Sequence, residues 1–126
     1  MTIHLDTSAL IDICARTRPL LPACAAATRE GHRFAISAVA MYEWLRGPRH
    51  DFELGLQREI SGPERIVVFG EPEADVAAQL YRRVSRARGR DLDIAIAACA
   101  IVHRAALWTS NVEDYRDIPG LRLYQP

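Results

Sequence analysis

The sequence predicts an α/β domain in which helices cover both faces of a central parallel sheet. Short apolar strands alternate with helical segments, and no strand is followed at once by a hairpin partner, which indicates parallel pairing. Residues 94–100 are small and apolar on every side, which predicts a buried helix packed closely against the sheet. The 126 residues form one domain, 1–126, without a linker, an internal repeat or a low-complexity segment.

The individual elements follow from apolar runs, helix caps and the positions of proline and glycine. Strands are predicted at 2–5, 34–36, 66–69, 106–109 and 122–124. Helices are predicted after residue 6, from 19 to about 30, from 37 to 45, from 51 to 60, from 72 to the break at 89, and from 91 to about 106. Thr7 or Ser8 is expected to cap the first helix and Ser37 the third, with Trp44 and Leu45 in the core.

Composition excludes several classes of α/β protein. The sixteen basic residues balance the sixteen acidic ones, and every basic residue is arginine. The absence of lysine argues against P-loop proteins, phosphotransfer receivers and aspartate-nucleophile phosphatases. No apolar run approaches the roughly 20 residues of a membrane helix, and no signal-peptide pattern is present, so a cytoplasmic location is expected. The cysteines are predicted to be buried free thiols, and the histidines to be structural or on the surface.

Four chemistry-bearing side chains are expected to converge at one edge of the sheet. Asp6 ends the first strand, Asn111 follows the fourth, Asp93 begins the buried helix and Glu43 lies in the third helix. Clustered carboxylates raise one another's pKa unless a positive charge lies between them, and no lysine can supply it. A hard cation, Mg²⁺ or Mn²⁺, is the natural counter-charge. Such cations activate water and stabilise a displaced phosphate, so the expected target is a phosphodiester.

Four segments, in this order, carry a family resemblance: LDTSALI at 5–11, EWLRG at 43–47, DIAIAACA at 93–100, and TSNVEDY at 109–115 followed by IPGL at 118–121. The chain resembles PIN-domain ribonucleases and, among these, the VapC-type toxins of bacterial toxin–antitoxin pairs. Each motif is weak alone, but together they cover nearly the whole chain. The resemblance implies a PIN-like three-layer α/β/α sandwich, endonucleolytic cleavage of RNA with Mg²⁺ or Mn²⁺, a homodimer, and inhibition by a small VapB-type antitoxin.

The resemblance also implies roles for individual acids. By position, Asp6 and Asp93 are the metal ligands, and Glu43 is the third acid of the catalytic group. Alignment on the apolar run after residue 93 selects Asp93 rather than Asp91. Asp91 is then expected to cap the buried helix, or to orient the ligands from outside.

Two further polar residues are candidates for a second metal or for a supporting role. Many PIN domains have a fourth acid where this chain has Asn111, so a second tightly held metal would need the phosphates of RNA to complete its ligands. Asp114 lies close by and could substitute. Its alternative role is to cap the short turn that carries it.

A group of arginines leads into the acidic site. Arg83 and Arg86 are three residues apart and are expected on one helical face, and Arg90 follows beside the site. They are candidates for phosphate contact with RNA, and the alternative is a solvated helix face.

The competing function for the whole chain is a catalytically weak PIN-like module that binds RNA or a protein. The three acids at the expected positions favour catalysis.

Overall fold

A computed structural model describes residues 1–126, and the alternation of strands and helices is confirmed. The strands are β1 (Thr2–Leu5), β2 (Arg33–Ser37), β3 (Ile66–Val67), β4 (Ala106–Trp108) and β5 (Arg122–Leu123). The helices are α1 (Thr7–Ile13), α2 (Leu21–Arg29), α3 (Ala38–Arg46), α4 (Asp51–Ile60), α5 (Glu71–Arg83) and α6 (Asp91–Val102). Two 3₁₀ turns complete the chain, at Pro63–Arg65 and Val112–Asp114.

The five strands form one parallel sheet in the order β3-β2-β1-β4-β5, and the architecture is the predicted three-layer α/β/α sandwich. The chain builds outwards from β1 to β3 on one side and then crosses to β4 and β5 on the other. The strand order therefore reverses between β1 and β4. In open parallel sheets, ligands bind outside the carboxyl ends of the strands at this reversal point.

The core lies around the central strands and α6. Six residues of α6 are buried, as the all-apolar segment predicted, because small side chains let the helix approach its neighbours closely. Trp44 and Trp108 are also fully buried, but Leu45 is 57% exposed, so its assignment to the core was wrong. Leu45 lies about 100° further around the helix axis than Trp44, and at this position it faces solvent rather than the core.

The first helix begins differently from the prediction. Ser37 does cap α3, since its Oγ accepts a hydrogen bond from the backbone N–H of Ala40 at 3.1 Å. At α1, however, Asp6 occupies the cap position and its side chain makes no cap hydrogen bond. Thr7 and Ser8 lie inside α1 rather than before it, so neither is the predicted cap. Their hydroxyls are used in the candidate site instead.

The helix predicted to run from 72 to 89 ends earlier, at Arg83. Val84 adopts an extended backbone and Arg86 has a left-handed φ of 54°. The segment that follows turns Ala87 into the core, where it is 8% exposed. Arg83 and Arg86 are therefore not on one helical face, because burial of Ala87 takes the chain out of the helix between them.

The predicted burial of the three cysteines as free thiols is confirmed for Cys14, Cys24 and Cys99. His4 is buried within β1, where burial and then the nearby charge of His103 lower its pKa to about 4. No helix is both long enough and apolar enough to cross a membrane.

Candidate active site

The candidate site lies at the carboxyl ends of β1 and β4, where the strand order reverses. Register pairs Leu5 with Trp108, so the next residues of the two strands, Asp6 and Thr109, leave the sheet side by side. The backbone N–H of Asp6 continues the ladder by donating to the carbonyl oxygen of Trp108 at 2.9 Å. Asp6 is only 4% exposed, so its carboxylate is held by protein groups rather than by water.

Three hydroxyl groups donate hydrogen bonds to the carboxylate of Asp6. Ser8 Oγ and Thr109 Oγ1 both donate to Oδ2 at 2.7 Å, and Tyr115 Oη lies 3.0 Å from Oδ1. Short hydrogen bonds to a charged acceptor are the stronger kind. They hold Asp6 in one orientation and compensate for its removal from water.

Backbone groups of the β4 loop fix the direction of two of these hydrogen bonds. The N–H of Ser110 donates to Ser8 Oγ at 3.0 Å, and the N–H of Asn111 donates to Thr109 Oγ1 at 3.0 Å. Each hydroxyl thus accepts from the backbone and has its single proton free for Asp6. The network is built without any basic side chain.

Asp93 reaches the same point from the first turn of α6. Tyr115 Oη lies 3.2 Å from Asp93 Oδ1, so one phenol bridges the carboxylates of Asp6 and Asp93. Burial raises the pKa of Asp93, the charges of Asp6, Asp114 and Glu43 raise it further, and the hydrogen bond from Tyr115 opposes them. The raised pKa indicates that the acids share one electrostatic environment.

Glu43 lies on α3 beside this pair but does not hydrogen-bond to either member. Its Oε1 accepts from Thr7 Oγ1 at 3.0 Å, and its Oε2 lies 3.5 Å from Arg46 Nη2. The side chain is 18% exposed, so part of the carboxylate faces solvent. Glu43 therefore borders the site from a different helix and is held less tightly than Asp6.

The donor set suits a hard divalent cation. Asp6 and Asp93 offer carboxylate oxygens, and neither accepts a hydrogen bond from an arginine or a histidine. Mg²⁺ is commonly bound through one or two carboxylates, with water or phosphate oxygens completing its octahedron. No group of three histidine, cysteine, aspartate or glutamate side chains is arranged as a ligand set. The residues therefore fit a cation held directly by two acids, with Glu43 outside that pair.

The other candidate acids and amides have looser positions. Asp91 is exposed as the first residue of α6 and makes no cap hydrogen bond, so its predicted capping role is wrong. Asn111 is exposed and contributes its backbone N–H to the network. Asp114 does not cap its turn, because it is the last residue of the 3₁₀ segment. It is exposed, yet its charge acts on Asp93.

The predicted phosphate-binding arginines divide into two kinds. Arg83 and Arg86 are exposed and make no hydrogen bond or ion pair through their side chains. Arg90 is different: its two terminal nitrogens donate to Asp117 and to the carbonyl oxygens of Ser85 and Asp114. Four of the five N–H groups of a guanidinium are used in this way. Because these donors are already used within the protein, the structure argues against the predicted contact of Arg90 with phosphate.

Four hydroxyl-bearing residues of the site were not identified from the sequence as site members: Thr7, Ser8, Thr109 and Tyr115. Thr109 had a usable signal, because it is the last residue of a strand predicted to lie in the same sheet as the strand that precedes Asp6. Ser8 had a weaker signal, its position two residues after Asp6. Nothing in the sequence pattern distinguishes the buried hydroxyl of Tyr115 from that of any other tyrosine in a turn.

Comparisons with solved structures agree with this fold. A chain of VapBC2 from Rickettsia felis bound to a promoter DNA fragment superposes with a TM-score of 0.76 at 17% identity, covering 98% of each chain. A chain of DNA-bound VapBC from Salmonella typhimurium gives 0.71 at 20% identity, over 98% of this chain and 97% of that one. A toxin–antitoxin complex from Klebsiella pneumoniae gives 0.66 at 23% identity, over 98% and 99%.

A comparison with protein families gives a direct assignment. No curated protein sequence matches the chain. The family model described as PIN domain matches residues 3–121, which include both strand ends and every acid of the candidate site. The chain belongs to the PIN domain family.

Proposed function

We propose that this protein is a metal-dependent endoribonuclease and the toxin of a VapC-type toxin–antitoxin pair. The observation that carries the proposal is the approach of Asp6 and Asp93 to a single phenol hydroxyl at the reversal point of the sheet. Two carboxylates brought together without a basic partner form a site that a cation would stabilise. Membership of the PIN domain family and the likeness to VapBC structures support the same activity.

The residues have distinct roles in the proposed reaction. Asp6 and Asp93 would hold Mg²⁺ or Mn²⁺, and the hydrogen bonds from Ser8 and Thr109 fix the orientation of Asp6. When bound, the cation would polarise the scissile phosphate and lower the pKa of the attacking water. Glu43, partly open to solvent, would accept a proton from that water as its oxygen bonds to phosphorus. The bond to the leaving oxygen breaks in the same step, and that oxygen takes a proton from solvent water.

The proposed protein partner is a VapB-type antitoxin. The structures that resemble this chain are described as VapBC assemblies or as a toxin–antitoxin complex. Expression of the chain alone should therefore arrest growth, and co-expression of the small protein encoded beside it should relieve the arrest. We expect growth to recover only when the antitoxin is present. Expression of Asp93→Asn alone should not arrest growth.

A homodimer is also proposed, and exposed apolar side chains support it. Tyr42 and Leu45 on α3 are each 57% exposed and line one groove with Ile66, on the edge strand β3. Apolar surface of this kind is typical of protein interfaces. Light scattering should give twice the mass of the chain, and Tyr42→Glu/Leu45→Glu should reduce it to one chain.

Cleavage of a labelled RNA pool by the purified protein tests the proposed activity. We expect internal cleavage with Mg²⁺ or Mn²⁺, none with EDTA, and none with Asp93→Asn purified in parallel. Activity of the wild type in EDTA, absent from Asp93→Asn, would contradict the metal mechanism. RNA binding without cleavage in either cation would favour the alternative, a catalytically weak binding module.

A further inference from the structure

Tyr115 joins the two central acids of the site. Its ring is 1% exposed, and its Oη lies 3.0 Å from Asp6 Oδ1 and 3.2 Å from Asp93 Oδ1. Both distances fit a hydrogen bond. A buried tyrosine hydroxyl usually finds a hydrogen-bond partner, and here both groups within reach are carboxylates, one just after β1 and one on α6.

The two acids depend on this hydroxyl to different degrees. Asp6 also accepts from Ser8 and Thr109, so it stays oriented without Tyr115. Asp93 accepts no other side-chain hydrogen bond, and Tyr115 is the only group that ties its carboxylate to the β1 side of the site. The phenol has one proton and therefore donates to one carboxylate at a time, although its oxygen lies within hydrogen-bonding distance of both.

The position of Tyr115 is itself fixed by the surrounding turn. Its backbone N–H donates to the carbonyl oxygen of Val112, and its carbonyl oxygen accepts from Ile118 at 3.2 Å. Arg90 binds the same turn on both sides, through the carbonyl of Asp114 and the carboxylate of Asp117. The hydroxyl is thus held by a rigid scaffold rather than by a mobile loop.

We propose that Tyr115 is a positioning residue that holds Asp6 Oδ1 and Asp93 Oδ1 at the separation and orientation needed to bind one cation. This inference rests on the proposed function, because the acids are taken as the metal pair. A hydrogen-bonding group behind a ligating carboxylate typically changes metal affinity 10–100-fold when it is removed. The main effect is on Asp93, the acid that lacks another donor.

The alternative is that Tyr115 only fills space in the core. The buried ring packs in the main apolar cluster, and phenylalanine would preserve that packing. Tyr115→Phe therefore separates the two roles, since it removes only the hydroxyl. Tyr124→Phe is a matched control, because the Tyr124 side chain makes no hydrogen bond and Tyr124 lies outside the site.

The test is a calorimetric titration of the folded protein with Mn²⁺, which measures the affinity for the cation. We expect Tyr115→Phe to bind Mn²⁺ about 10–100-fold more weakly than wild type, and Tyr124→Phe to bind with unchanged affinity. In RNA cleavage, Tyr115→Phe should lower kcat more than it raises KM. Unchanged Mn²⁺ affinity in a folded Tyr115→Phe would overturn the proposal, as would an equal loss in Tyr124→Phe.

A second measurement distinguishes failure of this inference from failure of the proposed function. Urea unfolding in EDTA is compared for Tyr115→Phe, Asp93→Ala, which removes the hydrogen-bond acceptor, and the double variant. If the hydroxyl holds Asp93, the effect of Tyr115→Phe on the unfolding equilibrium shrinks when Asp93 is already replaced. Should the wild type bind no Mn²⁺, the proposed function fails. In that case, non-additive effects of the two substitutions on the unfolding free energy would still support positioning of Asp93 by Tyr115. Additive effects would overturn it.

Discussion

Arg90 and Asp117 form a two-pronged ion pair, with Nη2–Oδ1 and Nη1–Oδ2 distances of 2.6 and 2.9 Å. The same guanidinium donates to the carbonyl oxygens of Ser85 and Asp114. It thereby joins the segment before α6 to the turn that carries Tyr115. A planar fork of fixed donors makes this contact, and a lysine could not reproduce it.

The ion pair predicts a small pH dependence of stability. The hydrogen bond from Arg90 lowers the pKa of Asp117, so the pair contributes stability above the ordinary aspartate pKa of about 3.9 and loses it as pH falls through the lowered value. Asp117→Asn should therefore be less stable than wild type at pH 7, and the difference should shrink as pH falls below the ordinary aspartate pKa. Because the Asp117 side chain is 48% exposed, the difference should stay below about 1 kcal/mol. Urea unfolding from pH 2 to 7 measures this difference, and Glu59→Gln, at an exposed carboxylate without an ion pair, is the control. A difference that does not shrink as pH falls would contradict the assignment.

Asp6→Asn and Asp93→Asn should have opposite effects on stability. Repulsion between acids alone predicts that either substitution is neutral or stabilising. Asp6, however, accepts from Ser8 and Thr109 at 2.7 Å, and a neutral amide in its place weakens these charge-assisted hydrogen bonds at a cost of about 1–3 kcal/mol. Burial and neighbouring charge raise the pKa of Asp93, so its amide variant should be at least as stable as wild type at pH 7. Thermal melts in EDTA test both; equal destabilisation would show that repulsion at Asp93 is unimportant.

Replacing Asp91 and Asp93 separately tests which aspartate binds the cation. Asp93→Ala should abolish RNA cleavage and Mn²⁺ binding. Asp91→Ala should keep most of both, because the exposed side chain caps nothing and interacts only with the helix N-terminus, at about 0.3–1 kcal/mol. Cleavage assays and melting temperatures of the two variants check this. Loss of cleavage in Asp91→Ala with normal folding would reverse the assignment.

The two unpaired arginines are expected to contact phosphates of RNA. Glutamine at Arg83 and Arg86 should weaken binding to every RNA sequence and reduce the salt slope by roughly 0.7 for each lost contact with a single strand. Glutamine at Arg16 and Arg18, exposed residues of another loop, is the matched control. The measurement is RNA affinity over a range of salt, using Asp93→Asn to prevent cleavage. An unchanged slope would leave both arginines as solvated surface residues.

The sheet and the buried helix could be predicted from sequence because their signals are local. An all-apolar α6 has few alternatives to burial, and strands such as β1 and β4 are short apolar runs that end at polar residues. The end of α5 could not be predicted in this way. It depends on Ala87 entering the core, which is a tertiary contact that overrides the helical periodicity of the arginines.

The acids of the site were predictable as a set, but their supports were not. Asp6 and Asp93 were identified from their places at a strand end and a helix start, and the structure brings them to one hydroxyl. The hydroxyl itself belongs to Tyr115, whose position depends on the turn after β4 and on Arg90. Arg90 was assigned to RNA for its charge and its position beside the acids. Its partner Asp117 is 27 residues away, and no local pattern connects them.

The sequence separation within the acidic site has a consequence for biosynthesis. Two of the three hydroxyl donors to Asp6 come from Thr109 and Tyr115, which are 103 and 109 positions further along the chain. A ribosome adds residues at about 5–20 per second from the N-terminus, so Asp6 emerges many seconds before these partners exist. Until then, β1 also lacks β4 beside it. The hydrogen-bond network around Asp6 is therefore complete only after residue 115 has been translated, so the proposed nuclease site assembles at the end of synthesis.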